Sequence, residues 1–356
     1  MAKSTYSELA KFIGNNDKRL ISQALNGLDF VSQVRTIRNA SLNGTGLQKM
    51  TVAAGARPLD LNVESRSGAH RSFTARKLMV YEGMKIIEII PEEAMKTWMS
   101  DMLEPGAKQI PFAQWVWENE YKKLASEIND NIYLSDYKGE AEAFDAGATY
   151  TAGTSFVKFG DDSDIYACVS NTTSGQSPTT HPAKWSLVNA TSICTGWGKI
   201  IANEIAAGNI AGANLITTGA LTSSNAFDKV ELMIDGMSVA HRKLGGTIRM
   251  SHAAYAKYLK QERTIYTSAL TPGMGAEKKT VYGHPNWVID PCTWMGTSSR
   301  LIATQKENLV FGTNLEGDTG KIAKSIETLH GTKSVVKWYA GCEIADLETL
   351  YVNDQA

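Results

Sequence analysis

Residues 44–90 read as two long extended arms around a polar turn, and no other feature limits the possible folds of this chain as strongly. "LDLNVE" (59–64) sets Leu59, Leu61 and Val63 against Asp60, Asn62 and Glu64, the period-two pattern of a strand with one apolar face. The turn-rich "SRSGAH" follows, and then "RSFTARKLMVYEGMKIIEII", again β-rich. Arms of roughly 16 residues at about 3.3 Å per residue reach about 50 Å. A two-stranded ribbon is marginal by itself in water, and one this long has no layer of its own to cover Leu59, Leu61, Val63 and Phe73. Either something outside the ribbon covers that face, or the two arms are central strands of a compact sheet.

The 356 residues are 43% hydrophobic and 21% charged, a globular composition with room for two or three domains. No apolar run approaches the roughly 18 residues of a membrane span, and the amino-terminal stretch lacks the pattern of a secretory signal, so neither spanning nor export is expected. Cys168, Cys194, Cys292 and Cys342 stand far apart without a CxxC pair, which predicts buried free thiols rather than a zinc site or a disulfide framework. The net charge of −1 hides an asymmetry: residues 1–80 hold 12 basic and 5 acidic side chains, and residues 81–170 hold 7 basic and 17 acidic. One end of the chain complements its middle, which suits attraction between copies or proximity of the basic part to nucleic acid.

Around the ribbon, residues 1–36 read as an arm with an amphipathic helix (Leu9, Phe12, Ile13) and a basic run to Arg35. Pro91, Glu92 and Glu93 open a helix. A longer helix is expected over about 105–136, with Phe112, Trp115, Val116, Leu124, Ile128 and Ile132 on its apolar stripe and Glu118 paired with Lys122. Helices are also predicted near 196–208, over 224–244 and after Ser251, with short strands between and beyond them. Strands and helices interleave without a βαβ rhythm, so the expected fold class is α+β.

No catalytic set emerges. Gly312 and Gly317 have P-loop spacing, but Asp318 stands where the motif needs Lys. No HExxH pairing occurs among the six histidines, and the nearest approach to a nucleophile elbow, around Ser238, falls on a predicted helix. Assembly or binding, without catalysis, cofactor or metal, is the expectation.

Taken in order, these elements resemble the major capsid proteins of tailed bacteriophages, the Hong Kong 97 fold. The resemblance divides the chain into an N-terminal arm (1–36), an extended loop hairpin (37–90), a peripheral domain with the spine helix (91–139), an inserted β domain (140–190), and an axial domain with the rest of the peripheral domain (191–356). It implies a homo-oligomer of hexamers and pentamers that close into an icosahedral head shell around packaged DNA, which meets the inner face without sequence specificity. Portal, scaffold and decoration proteins are the implied partners, the virion the implied location and the host cytoplasm the place of assembly. An encapsulin-type compartment shell has the same fold and stays an alternative. In this family the extended loop lies across a neighbouring subunit, so Arg57, Arg66, Arg71 and Arg76 are expected to meet Glu118, Glu120 and Glu127 of an adjacent copy.

Within the insert, Tyr150, Gly153, Val157, Phe159, Gly160, Tyr166, Ala167, Gly175, Pro178 and Trp185 form a pattern similar to the small carbohydrate-binding modules of chitinases, with Tyr150, Phe159, Tyr166 and Trp185 as its aromatic framework. That resemblance implies a weak glycan contact, and it makes a glycan-active enzyme a further alternative. The stretch "CVSNTTSG" after Tyr166 and Ala167 carries no aromatic residue.

Overall fold

Alternating apolar residues make 332–344 the longest strand, and much of the architecture hangs on it. The computed structural model describes residues 28–52, 71–90, 96, 98, 112–265, 279–313, 323–327 and 332–355. In chain order the strands are β1 (Arg35–Ile37), β2 (Thr45–Val52), β3 (Arg71–Leu78), β4 (Tyr81–Ile89), β5 (Glu142–Ala143), β6 (Phe156–Phe159), β7 (Asp164–Cys168), β8 (Trp185–Leu187), β9 (Leu215–Ile216), β10 (Gly246–Ser251), β11 (Lys279–Val281), β12 (His284–Cys292), β13 (Ile302–Thr304), β14 (Leu309–Gly312), β15 (Ala323–Glu327), β16 (Thr332–Ile344) and β17 (Tyr351–Asn353). The helices are α1 (Phe112–Asn131), α2 (Trp197–Ala206), α3 (Ala226–Asp235), α4 (Val239–Leu244) and α5 (His252–Ile265).

Strand β16 organises a mixed sheet of order β1-β14-β16-β15, and β4 joins it as a nine-pair antiparallel partner running from Ile89↔Thr332 to Tyr81↔Ala340. The period of two sends Val336, Trp338, Ala340, Cys342 and Ile344 into the main core. There they meet α1, whose buried face is Val116, Trp117, Tyr121, Leu124 and Ile128. Twenty residues make α1 a rod of about 30 Å. Of the expected stripe, Val116, Leu124, Ile128 and Ile132 are buried in the main core, while Phe112 and Trp115 lie at its margin and the fully buried Trp117 widens the face beyond it. Nor does Glu118 pair with Lys122; it accepts a 2.8 Å hydrogen bond from Gln114 Nε2.

A second sheet, β11-β12-β10-β13-β17-β9, separates two cores. Neighbouring residues on its strands point to opposite faces, so Ile302 and Val352 join the main core while Ala303 and Tyr351 join a second one under α3 and α5. Ser251 begins α5 as expected, its Oγ accepting from Ala254 N at 3.2 Å. The predicted single helix over 224–244 is instead two, α3 and α4, broken at Gly236–Ser238, and Ser238 caps the second by accepting from the His241 amide.

Two other readings need correction. Residues 28–34, grouped with the arm from sequence, bury Leu28, Phe30 and Val34 in the main core. Phe30 packs edge-on to Phe311 at 4.9 Å and to Trp197 at 5.5 Å. The second hairpin arm is also not one continuous strand. β2 pairs with β3 over eight positions, from Thr45↔Leu78 to Val52↔Arg71, but the chain breaks at Met79–Val80 and β4 leaves the ribbon for β16. The segment 59–64 lies outside the described residues.

That break has a cause far away in the chain. Gly312 and Gly341 face each other across β14 and β16, and the root of the hairpin crosses directly over them. A Cβ on Gly341 would collide with the Met79 carbonyl and lie 3.0 Å from Val80 Cα; one on Gly312 would lie 2.7 Å from Leu78 Cδ2. Gly341→Val is therefore expected to displace the root and to cost about 1–3 kcal/mol as an overpacking change. An unchanged denaturation midpoint for Gly341→Val would show that the crossing is looser than this.

Between α1 and α2 the chain leaves the body and forms the small sheet β5-β6-β7-β8, antiparallel except for the β5/β6 pair. It leaves and returns at adjacent points: Asp136 N donates to Thr191 O, and Gly196 N to Ser135 O, both at 2.8 Å. Its own core is Val157, Cys168 and Trp185, with Phe144, Tyr150 and Tyr166 packed against it.

Candidate assembly surface

The hairpin β2/β3 has two chemically different faces. Toward the body, Leu47 and Leu78 are buried with Ala40, Val80 and Val310. Beyond them Lys49 Nζ lies 2.8 Å from Asp346 and 2.5 Å from Glu348, and Arg76 Nη2 lies 2.6 Å from Glu204 and 2.8 Å from Glu343. Toward solvent, Met50 stands opposite Phe73 and Val52 opposite Arg71, with exposures of 55% for Met50, 71% for Phe73 and 52% for Val52. Isolated exposed apolar residues are ordinary, but three together on one face of the hairpin form a patch that calls for cover.

The root is an electrostatic anchor. Burial pushes the Glu204 carboxyl up, but hydrogen bonds from Asn209 and Arg76 and the Arg76 charge outweigh it and hold the group below the usual carboxylate range. Burial lowers the Arg76 and Lys49 values, and their acidic partners more than reverse this, so both cations are held more firmly charged than in water.

The residues expected to join copies fall in different places. Arg57 and Arg66 lie outside the described residues. Arg71 is exposed at the start of β3. Arg76 finds its carboxylates, Glu204 and Glu343, inside its own protomer. Glu120 and Glu127 on α1 both face Lys85 of β4, at 3.8 and 3.3 Å. Sequence reading missed Lys85, Glu204, Glu343 and the Lys49 acids, because each pairing spans tens to hundreds of residues and leaves no local spacing.

In the small sheet, Tyr150 and Trp185 pack at 5.2 Å, and Phe159 and Tyr166 at 6.3 Å. Phe144 joins these pairs by contacting Tyr150, Phe159 and Trp185. Trp185 Nε1 donates to Gln176 O at 3.0 Å. Phe144 is absent from the sequence pattern, although it lies only six residues before Tyr150. The strongly exposed large hydrophobics of this region are Val169 and Leu187, neither of them an aromatic platform for a sugar ring.

Other chemistry is sparse. His241 Nδ1 lies 2.7 Å from Ser238 Oγ and 3.0 Å from Tyr351 OH, an arrangement that closes the start of α4. All four cysteines are buried and free. Burial, reinforced by contact with Cys194, pushes the Cys342 thiol well up and keeps it protonated at neutral pH. Among the described residues, no group of three or more His, Cys, Asp or Glu is placed to hold a metal, and no helix is long and apolar enough to cross a membrane.

Together these layers define a mixed α+β fold of capsid type. Over 95% of its length the chain superposes on 90% of a chain in the satellite phage P4 procapsid that includes the size determination protein, with a TM-score of 0.54 at 10% identity. It is also similar to a chain of the capsid of the Myoviridae phage XM1, at 10% identity, 92% and 91% coverage and a TM-score of 0.45. A chain of the SrpI encapsulin complex of Synechococcus elongatus PCC 7942 matches at 10% identity, 91% and 86% coverage and a TM-score of 0.42. No protein-family model and no curated protein matches the sequence.

Proposed function

We propose that this chain is the major capsid protein of a tailed bacteriophage, assembling as hexamers and pentamers into the icosahedral shell that encloses the genome. The observation that carries the reading is the hairpin: on a capsid-type fold, it is tied to its own body on one face and shows Met50, Val52 and Phe73 to solvent on the other. A neighbouring copy supplies the missing cover. In these terms the residues before Leu28 act as the arm, the β2/β3 hairpin with the segment joining its strands as the extended loop, α1 as the spine helix of the peripheral domain together with β4, and 191–356 as the axial domain with the remaining peripheral strands. This is the Hong Kong 97 plan, with residues 140–190 as a domain inserted at two adjacent points. Arg57, Arg66 and Arg71 are the loop cations offered to a neighbour's acids, while the aromatic core of the insert favours a structural part over glycan stacking. DNA meets the inner face without sequence specificity, and portal, scaffold and decoration proteins complete the particle.

Electron microscopy of the purified assembled protein tests this. Closed hollow shells of uniform size are expected, and a monomer at every concentration rejects the reading. Nucleic acid recovered from particles made during infection distinguishes a virion from a compartment filled with protein.

A further inference from the structure

Strand β4 pairs along one edge with β16, and among the described residues no strand pairs with its other edge. A free edge nine residues long offers a row of backbone donors and acceptors to any strand that reaches it. This edge is not blunted by proline, and it exposes Met84 and Ile86. Along it runs a cleft of about 600 Å³. Leu124 and Ile128 of α1 form its apolar floor, and the opposite wall is the turn between β6 and β7, with Asp162, and Asp164 at the first position of β7. Lys85 and Lys337 answer Glu127 and Glu82 at this edge, so Asp162 and Asp164 supply the surplus negative charge.

The outer face of β2/β3 is the complement of that cleft. It is a strand pair with an apolar stretch, Met50 and Phe73, next to the cation Arg71. We infer that the small β-sheet domain is a clasp between copies. Its β6–β7 turn closes the groove along β4 over the hairpin of a neighbouring copy, with the neighbour's Arg71 facing Asp162 and Asp164 and its Phe73 on the apolar floor. The domain thereby acts as a cement built into the chain, occupying the place where an open sheet edge would otherwise invite wrong pairing. This inference rests on the shell reading and assigns to the 140–190 domain a role that the reading alone does not require.

The test uses assembled particles in which the photoreactive benzoylphenylalanine replaces Phe73, prepared from a mixture of ¹⁴N- and ¹⁵N-labelled subunits. After illumination, cross-linked peptides of mixed isotope composition that contain residues 82–86 or 162–165 are the expected result. In Asp162→Lys/Asp164→Lys particles their yield should fall about tenfold, the effect of like charges placed together in a contact. Closed shells whose cross-links land elsewhere, or only within one isotope, overturn the clasp and leave the shell reading standing. Failure of the unlabelled wild-type protein to form any shell overturns both. A double variant that assembles with undiminished cross-linking removes the charge part of the argument and refutes the proposed contact with Asp162 and Asp164.

Discussion

Trp197→Ala should leave the unassembled subunit barely folded. The indole opens α2 with no exposure to solvent, meets Phe30 at 5.5 Å and Trp294 at 5.1 Å, and its Nε1 donates to Glu343 O at 3.3 Å. It therefore fastens three distant parts of the chain at one point: the segment before β1, the turn after β12, and β16. Removing a buried Trp typically costs about 3–5 kcal/mol, because the transfer energy is lost and the cavity does not collapse. A domain typically has about 5–15 kcal/mol of stability in all. Chemical denaturation of the subunit should show a large fall in midpoint for Trp197→Ala and a smaller one for Trp197→Phe, which refills most of the space. A midpoint that hardly moves in the alanine variant would mean that this aromatic cluster is not the centre of the main core.

How much of this could be read beforehand depends on how local each signal was. The small sheet was legible because Tyr150, Phe159, Tyr166 and Trp185 lie within 36 residues and carry their spacing with them. The α+β class was legible from the changes of period along the chain. The break at Met79–Val80 was not, because "ARKLMVYEGMK" keeps its β character across it, and the two glycines that impose the crossing sit more than 200 residues later. The stripe of α1 was legible at Val116, Leu124, Ile128 and Ile132, but not the depth of Trp117, because residues 115, 116 and 117 are all apolar and periodicity alone could not choose between the two tryptophans. The break between α3 and α4 did have a signal: Gly236 followed by Ser238 is a stop and a cap in close succession. The same limit governs the candidate surface. An exposed Phe73 could be suspected from a ribbon without a core, but the residues that anchor the ribbon at its root could not.

At that root lies the change expected to hurt assembly most among the charged residues. Arg76 reaches Glu204 and Glu343, which lie 128 and 267 positions away, with roughly three quarters of its side chain out of solvent. Arg76→Glu removes the shared cation and brings a third carboxylate to the same place. Lost charge-assisted bonds and unpaired acids should cost the subunit about 2–3 kcal/mol. The larger effect should fall on shells, since a hairpin released at its base no longer presents Phe73 and Arg71 in one orientation to a neighbour. The expected result is a subunit that still unfolds cooperatively but gives few closed particles. Arg76→Lys should be intermediate, because one ammonium cannot bond both carboxylates as the forked guanidinium does. Acid should mimic the loss: the Glu204 carboxyl is held below its unfolded value, so its contribution is complete above the ordinary carboxylate range and disappears as pH falls through its folded value. Lys49 sets the opposite limit, since a raised amine contributes fully at neutral pH and stops doing so only as pH climbs through its folded value. Light scattering of assembly against pH should therefore show a plateau bounded by an acid loss and an alkaline one, with a shallower acid limb in Glu204→Gln. Normal particle yield from Arg76→Glu would show instead that the hairpin is oriented by its neighbour and not by its root.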